Sequence, residues 1–437
     1  MSDLSISAPA LPALTPLRFA LVTTFYPPFS FGGDGIYVQS LARALVARGH
    51  HVEVIHDTNG YRSMTGTDPE LPVVPNPADD GIIVHRLRSK HPLLAALQVQ
   101  QFGKPGVHRA EIAELLGDRF DVIHTHNISL IGGPGIWELG SAVKLHTAHE
   151  HWMVCASHIL WRDNREVCDE RHCLRCVLNH KRPPQLWRAT GLLERAAKNV
   201  DAFLMLSESS ADNHRRFGFT PPMTVVPSFL PNAPPLAETA KATVRSRPYF
   251  LFVGRLEVIK GLQDVIPQFS ADLDADLLIA GTGDYEPELR RLAQGRANVH
   301  FLGRLGMDEL RVLYRDARAV LTPSRCFEVF PLVVLEAFRE STPIIARDLG
   351  PYPEIIRESG GGLLFSDDQT LRAALDRMIS DSAQATKMGA DAFETYQRTW
   401  TEDMALTAYF QAIRAAALAA DRLKTAQTCG LWIDAIQ

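Results

Sequence analysis

The chain has no apolar run long enough to cross a bilayer. It does not open on a positive segment followed by a hydrophobic one. Met1 to Leu17 is small, broken by proline and carries Asp3, which reads as a disordered leader rather than a signal peptide. An excess of positive charge is missing too. Lys and Arg number 45 against 50 Asp and Glu, a formal net charge of −5, so no nucleic acid partner is implied. Cysteine is scarce, six in 437 residues, which excludes a disulfide scaffold and points to a reducing cytosol. There is no repeat at solenoid period and no G-x-G-x-x-G dinucleotide fingerprint. What remains has ordinary apolar content and is too long for one core, so two domains are expected.

The residues present alternate in a regular way. Arg18 to Thr24 reads as a short apolar strand, and a loop with Gly32, Gly33, Asp34 and Gly35 follows. A helical pattern then runs from Ile36 to Arg48, and His51 to His56 is a second strand. Strand, Gly-rich loop, helix, strand is the opening of a doubly wound parallel sheet. Asp57 to Asp80 reads as a long loop. Two later strands, Asp121 to His126 and Val143 to Thr147, end in histidines: His124, His126, His149 and His151. Ligands of open α/β sheets bind beyond the carboxyl ends of the strands, so these imidazoles mark a polar cleft. The plain alternative for each is a hydrogen-bonded structural residue.

The second half begins with strand Tyr249 to Val253, then Gly254, Arg255 and, five residues on, Lys260. Two cations bracketing a turn after a strand suit a departing diphosphate, the Arg as a fork and the Lys as a point charge. Gly281-Thr-Gly283 follows the next strand as a loop of close backbone approach. Strand Ala319 to Leu321 leads through Pro323 and Ser324 to Glu328, then Pro331 and a helix. Pro331 fits the first helical position. The opening amides of that helix, Leu332 and Val333, carry the positive end of its dipole and suit a phosphate. Glu328 lies just outside that terminus, and Glu336 more than one turn inside. A nucleotide-sugar presents its groups in the same order: sugar, diphosphate, ribose. Both glutamates facing solvent is the plain alternative.

Cys155, Cys168, Cys173 and Cys176 crowd into 22 residues. They fit a structural zinc site, with His158, His172 or His180 able to replace any one ligand; four unrelated thiols is the alternative. Residues 151–200 hold nine Lys and Arg against five Asp and Glu. That excess suits an anionic membrane or a phosphate-bearing acceptor, or simply a solvated helix face.

With these pieces in order, the chain resembles the retaining GT-B glycosyltransferases of glycosyltransferase family four. The likeness rests on Phe31-Gly-Gly-Asp-Gly35, Asp121-Val-Ile-His-Thr-His126, His149-Glu150, the Gly254–Gly261 turn with its Arg and Lys, Ala280-Gly-Thr-Gly283, Phe301-Leu-Gly303, and Glu328 with Glu336. It spans about residues 18 to 400. It implies an α/β GT-B fold, two Rossmann-like doubly wound domains facing a cleft. The expected layout is a leader (1–17), an acceptor domain (18–230) with a Cys-rich insertion (151–185), a linker (231–248), a nucleotide-sugar domain (249–397), and a C-terminal helix (398–437) crossing back. By that resemblance Arg255 and Lys260 hold the donor diphosphate. Glu328 binds sugar hydroxyls, Glu336 the ribose, and His149 the sugar near its anomeric centre. Gly33, Gly283, Leu332 and Val333 approach the donor; Asp34, His126 and His151 stand on the acceptor side. No catalytic metal is needed, in keeping with no DxD-type pair standing out. The implied partners are a nucleotide-sugar and a saccharide or lipid-linked acceptor, with the enzyme cytoplasmic or at the inner membrane face. Pro331 replaces the Gly of many members, and the Cys-rich insertion is not general. The rivals are a sugar-nucleotide epimerase of the same fold and a non-catalytic nucleotide-sugar-binding subunit.

Overall fold

The computed structural model describes residues 14–68, 79–232 and 247–436. Most of the expected leader and of the linker 231–248 falls outside these residues, as does the middle of the stretch between Asp57 and Asp80. The part of that stretch expected as loop and described here contains a helix, Asn59–Thr65. Asp57 Oδ2 accepts from Gly60 N at 2.8 Å and Oδ1 from Asn59 Nδ2 at 2.6 Å, so the carboxylate anchors its first turn.

Two parallel sheets dominate the fold. The first has seven strands in the spatial order Ile82–Leu87, His51–Asp57, Arg18–Thr23, Val122–Thr125, Val143–Ala148, Ala202–Met205, Met223–Val225. The second has six: Val299–Gly303, Asp276–Ala280, Tyr249–Val253, Ala319–Thr322, Ile344–Arg347, Gly362–Phe365. Every neighbouring pair within both sheets runs parallel. The central strands are buried on both faces, which is why they read as unbroken apolar runs. A small antiparallel hairpin, Trp161–Arg162 with Glu166–Val167, lies in the Cys-rich stretch.

In each sheet the strand order reverses once. The switch falls between Arg18–Thr23 and Val122–Thr125 in the first sheet, and between Tyr249–Val253 and Ala319–Thr322 in the second. Chain leaving the carboxyl ends of those four strands carries the Gly33 loop, His126, the Arg255 turn and the Glu328 loop. Such a switch point opens a crevice without needing any special residue there.

The end of the chain packs on the first sheet. Helix Glu402–Ala419 puts Leu406, Tyr409, Phe410 and Ile413 into one apolar cluster with Phe19, Leu21 and Leu145. Arg48 reaches Glu402 at 2.8 Å and also pairs with Asp403, tying that helix to Gly33–Ala47. The last helix, Leu423–Ile436, donates Trp432 Nε1 to the Thr15 carbonyl at 3.0 Å.

Candidate functional site

A cavity of about 510 Å³ opens between the two sheets at their switch points. Its walls bring together eight of the expected residues: Gly33, Asp34, His149, Arg255, Lys260, Glu328, Leu332 and Val333. Gly33 begins the helix Gly33–Ala47, and Leu332 begins Leu332–Arg339. A Cβ added at Gly33 would lie 4.0 Å from Leu332 Cδ1. Two helix N-termini therefore face each other across the cavity, each with first-turn N–H groups that the helix does not use. Pro331 is the N-cap, with extended backbone, one place earlier than expected; its carbonyl accepts from Val334 N at 3.0 Å.

The charged groups form one network. Lys260 Nζ is 2.7 Å from Glu328 Oε1, and Ser324 Oγ donates to the same oxygen at 2.7 Å. Burial works against the Lys260 ammonium, but Glu328 outweighs it and holds its pKa above the ordinary value. Burial also pushes the Glu328 carboxyl up, and Lys260 with Ser324 reverses this, leaving it below the ordinary value. Arg255 is more open and lies 2.6 Å from Glu257. Tight turns fix both cations. Gly261 has φ +79°, and a Cβ there would sit 1.9 Å from the Pro323 carbonyl oxygen, so Lys260 is held against the loop that carries Glu328.

On the other wall, Asp34 is half-buried. It accepts from Gly35 N at 2.8 Å and Asn127 Nδ2 at 2.9 Å, while burial and then Glu150 raise its pKa. His149 Nε2 meets His126 Nδ1 at 3.0 Å, and its ring lies 4.9 Å from Tyr37. Burial pushes the His149 pKa down to about 4, against the pull of Glu150, so the imidazole is neutral at physiological pH.

Four expected residues do not line the cavity. His126 stands behind His149 and holds it. His151 turns the other way, stacked 5.3 Å from His214 inside the first domain, so His149 and not His151 is the imidazole on the wall. Gly283 makes its close approach to protein rather than to a ligand: a Cβ would fall 2.3 Å from the Leu256 carbonyl oxygen. It thereby supports the turn that carries Arg255. Glu336 Oε2 accepts from the Tyr314 hydroxyl at 2.6 Å, and burial raises its pKa.

The structural zinc expected at the cysteines finds no support. Among the described residues no group of three or more His, Cys, Asp or Glu is arranged to hold a metal ion. Cys155, Cys168, Cys173 and Cys176 do line one small cavity, but each buried thiol has a partner of its own. Cys155 Sγ lies 3.2 Å from Ser157 Oγ, Cys168 donates to the Glu170 carbonyl, and Cys176 accepts from Asp163 N. Burial and then the neighbouring thiols push the Cys168 thiol up to about 11.

Sequence reasoning missed Ser324, Asn127 and Tyr352 on the cavity wall, and Tyr314 beside Glu336. An S-x-x-x-E spacing and a tyrosine opening a helix are too common to signal anything alone. It also missed the aromatic lip, where Phe31 stacks on Tyr61 at 4.7 Å and meets Phe25 edge-on at 5.3 Å.

Fold and cavity together define a two-domain α/β protein of the GT-B kind, built to hold a ligand between its halves. Sucrose-phosphate synthase of Thermosynechococcus elongatus superposes with a TM-score of 0.67 at 23% identity, covering 89% of this chain and 96% of that one. An Anabaena protein solved in complex with UDP gives 0.60 at 13% identity, covering 94% and 100%. Residues 31–231 match Glycosyltransferase Family 4 and residues 238–395 match Glycosyl transferases group 1; the chain belongs to this glycosyltransferase family. It is 27% identical over 404 residues to an uncharacterised glycosyltransferase of Methanocaldococcus jannaschii, covering 84% of this chain and 90% of that one. It is 26% identical over 403 residues to the D-inositol 3-phosphate glycosyltransferase of Pseudarthrobacter chlorophenolicus, covering 86% and 89%.

Proposed function

We propose that the protein moves a hexose from a UDP- or GDP-linked donor to a hydroxyl of a saccharide or lipid-linked acceptor, with retention at the anomeric carbon. The observation that carries this is the meeting of Arg255, Lys260 and the first-turn amides of Leu332 and Val333 in one cavity, opposite Gly33. A diphosphate is the ligand for which two cations and a helix N-terminus are jointly suited. The Lys260 ammonium has three N–H donors and spends one on Glu328, so others remain for phosphate oxygens. Lys260 and Ser324 both use Glu328 Oε1, which leaves Oε2 to accept from sugar hydroxyls. Glu336 lies off the cavity wall with Tyr314 on one oxygen; its other oxygen is the one that would accept from a ribose extending past Leu332 and Val333.

The step is a front-face displacement. The anomeric carbon–oxygen bond to the diphosphate breaks while the acceptor oxygen bonds to the same face, and a donor phosphate oxygen takes the acceptor proton. Arg255 and Lys260 take up the negative charge of the leaving group, so these side chains do the work assigned elsewhere to a metal. His149 is neutral and adds no positive charge beside the cation growing on the sugar. Closure of the halves excludes water and limits hydrolysis. The UDP and UDP-glucose complexes of the Anabaena neighbour support a nucleotide-sugar donor. The likeness of residues in this chain to the O-antigen chain mannosyltransferase C of Escherichia coli, 29% identical over 167 residues, supports cell-surface glycan or glycolipid synthesis on the cytoplasmic side.

A thermal-shift screen against UDP- and GDP-sugars tests the donor, since a ligand at a hundred times its Kd stabilises by about 2.7 kcal/mol. Proton NMR of the product then reads the anomeric configuration. An inverted product, or a nucleotide that lodges away from Arg255, Lys260 and Leu332, defeats the proposal. An epimerised sugar-nucleotide, rather than free sugar from hydrolysis, formed from donor without acceptor would indicate an epimerase instead.

A further inference from the structure

Behind the cavity wall, histidines are in contact with one another. His149 Nε2 lies 3.0 Å from His126 Nδ1, and the His126 ring centre lies 4.0 Å from that of His124. Burial, more than any neighbour, holds the pKa of His126 and of His149 below the ordinary 6.5, so both rings are neutral at physiological pH. A neutral imidazole has one N–H and one bare nitrogen. At the shared contact one nitrogen donates and the other accepts, and that choice fixes what the far nitrogen of each ring offers.

The far nitrogen of His126 decides between the two arrangements. His126 is 1% exposed, and its Nε2 is buried with no hydrogen-bond partner among the described residues. The adjacent ring has nothing to give it: His124 Nδ1 meets the Tyr409 hydroxyl at 2.9 Å, and His124 Nε2 the Thr147 hydroxyl at 2.8 Å. If His149 donated, the His126 proton would have to sit on Nε2, as a buried N–H without an acceptor. Protein interiors tolerate an idle lone pair better than an idle donor. With the proton on His126 Nδ1 the contact is made and only a lone pair stays idle. His149 then accepts at Nε2 and carries its own proton on Nδ1, for which no protein partner is found among the described residues. The ring that bears it is part of the cavity wall.

We propose that His126 is a positioning residue: by donating from Nδ1 it fixes His149 in the Nδ1–H form, and the wall imidazole thereby acts as a hydrogen-bond donor to an oxygen of the donor sugar. The two sides of the cavity then take opposite roles. Glu328, ionised, can only accept from sugar hydroxyls, whereas His149 donates. The site selects a sugar that sets an oxygen, of a hydroxyl or a carboxylate, against His149, and it disfavours the deoxy analogue. The claim about the sugar rests on the transferase reading; the claim about the proton does not.

Long-range proton–nitrogen NMR of the full chain, isotope-labelled in its histidine nitrogens, tests the proton's place without any ligand, since protonated and bare ring nitrogens resonate far apart. The His149 signals are those lost in His149→Gln. In the wild type they are expected to show a protonated Nδ1 and a bare Nε2. His126→Leu removes the donor, and His149 is expected to become a mixture of both forms. His126→Asn, whose amide N–H can stand in for Nδ1, is expected to restore the wild-type pattern. Titration calorimetry then reads the sugar. His126→Leu should weaken UDP-glucose or GDP-mannose, whichever the wild type binds, about three- to tenfold, as for one hydrogen bond, and leave UDP or GDP within about twofold. A proton on Nε2 of His149 in the wild type overturns the proposal, and that spectrum decides even where His126→Leu fails to fold. So does a His149 pattern that His126→Leu leaves unchanged, or an equal loss of affinity for the nucleotide alone. Wild-type protein that shows the expected protons yet binds neither nucleotide-sugar upholds the positioning role and counts against the transferase reading instead.

Discussion

Lys260→Ala separates two tasks performed by one ammonium. In the wild-type site Lys260 and Glu328 are 23% and 19% exposed and 2.7 Å apart. Removing one member of a buried pair costs about 3–5 kcal/mol, because the other charge is left without compensation. Here a fifth of each side chain meets water and Ser324 still donates to the carboxylate, so about 2–3 kcal/mol is expected. That is a fall of roughly 5–10 °C in melting temperature for the second domain. The pH dependence has a definite sign. Glu328 in the wild type has a folded pKa below its ordinary 4.5, so its stabilisation is full above that pH and is lost as pH falls through the folded value. Without Lys260 only Ser324 and Arg255 are left to oppose burial, the largest influence on the carboxyl, so its pKa rises. The destabilisation is then full at neutral pH and shrinks on acidification. Adding Glu328→Gln removes the stranded charge and recovers most of the melting temperature. Turnover does not recover, since losing one electrostatic donor to a leaving group costs about 10²–10³ in rate. Scanning fluorimetry across pH and donor turnover are measured on both single variants and the double. Turnover that returns together with stability in the double refutes the reasoning, because Lys260 would then serve only to neutralise Glu328.

Two further outcomes follow from the same geometry. Gly261→Ala places a Cβ within 1.9 Å of the Pro323 oxygen at φ +79°; the Lys260 turn must shift, and isothermal titration with the donor nucleotide is expected to show affinity falling at least tenfold while the first domain is unaffected. Burial holds eight histidines, His50, His56, His124, His126, His146, His149, His151 and His214, below the ordinary 6.5. Unfolding lets them take up protons that the folded state refuses, so stability is lost as pH falls below about 6.5, by about 1.4 kcal/mol per pH unit for each group. Circular dichroism should show cooperative acid unfolding between about pH 5 and 6, the window in which these losses add up to a typical total stability; a chain folded at pH 4.5 contradicts the assignment.

The parts of this protein legible in its sequence are those that local pattern specifies. Apolar runs such as Tyr249–Val253 and Ala319–Thr322 had to be central parallel strands, and glycine-marked loops after strands had to lie at their carboxyl ends. Position in the chain therefore placed Gly33, Arg255, Glu328 and Leu332 around one crevice. What could not be read depends on meetings between distant residues. Nothing near Glu336 announces the Tyr314 hydroxyl, and nothing near Lys260 announces that Glu328, 68 residues on, takes its charge. Gly283 has the look of a ligand-approach glycine, yet it clears room for the Leu256 backbone. Four clustered cysteines look like metal ligands by spacing, but spacing says nothing about the hydrogen bonds each thiol has found. His149 and His151 lie just beyond the strand Val143–Ala148, where alternation would have put both rings on one face; the bend there sends one to the cavity and the other inward, and sequence alone does not fix which.

The loop bearing Glu328 belongs by chain to the second domain, but the first domain holds it. Ser207 Oγ donates to the Val329 carbonyl at 2.6 Å, and Phe327 packs against the core of the first domain near His151. Glu354 Oε2 accepts from Ser209 N at 2.9 Å, at the start of the helix Glu208–Arg216. Glu328 thus lies between two residues whose positions depend on the halves being together, whereas Arg255, Lys260 and Leu332 are carried by the second domain alone. Nucleotide capture and completion of the sugar-reading group are then separable events. Ser207→Ala with Glu354→Gln removes one interdomain hydrogen bond and weakens another, each worth about 0.5–1.5 kcal/mol. The closed population, and with it kcat, should fall about five- to fiftyfold, while the Kd for the donor nucleoside diphosphate, measured by titration calorimetry, changes less than twofold. If affinity and kcat fall together, the first domain takes part in nucleotide binding itself, and the division of labour between the halves is not the one this geometry describes.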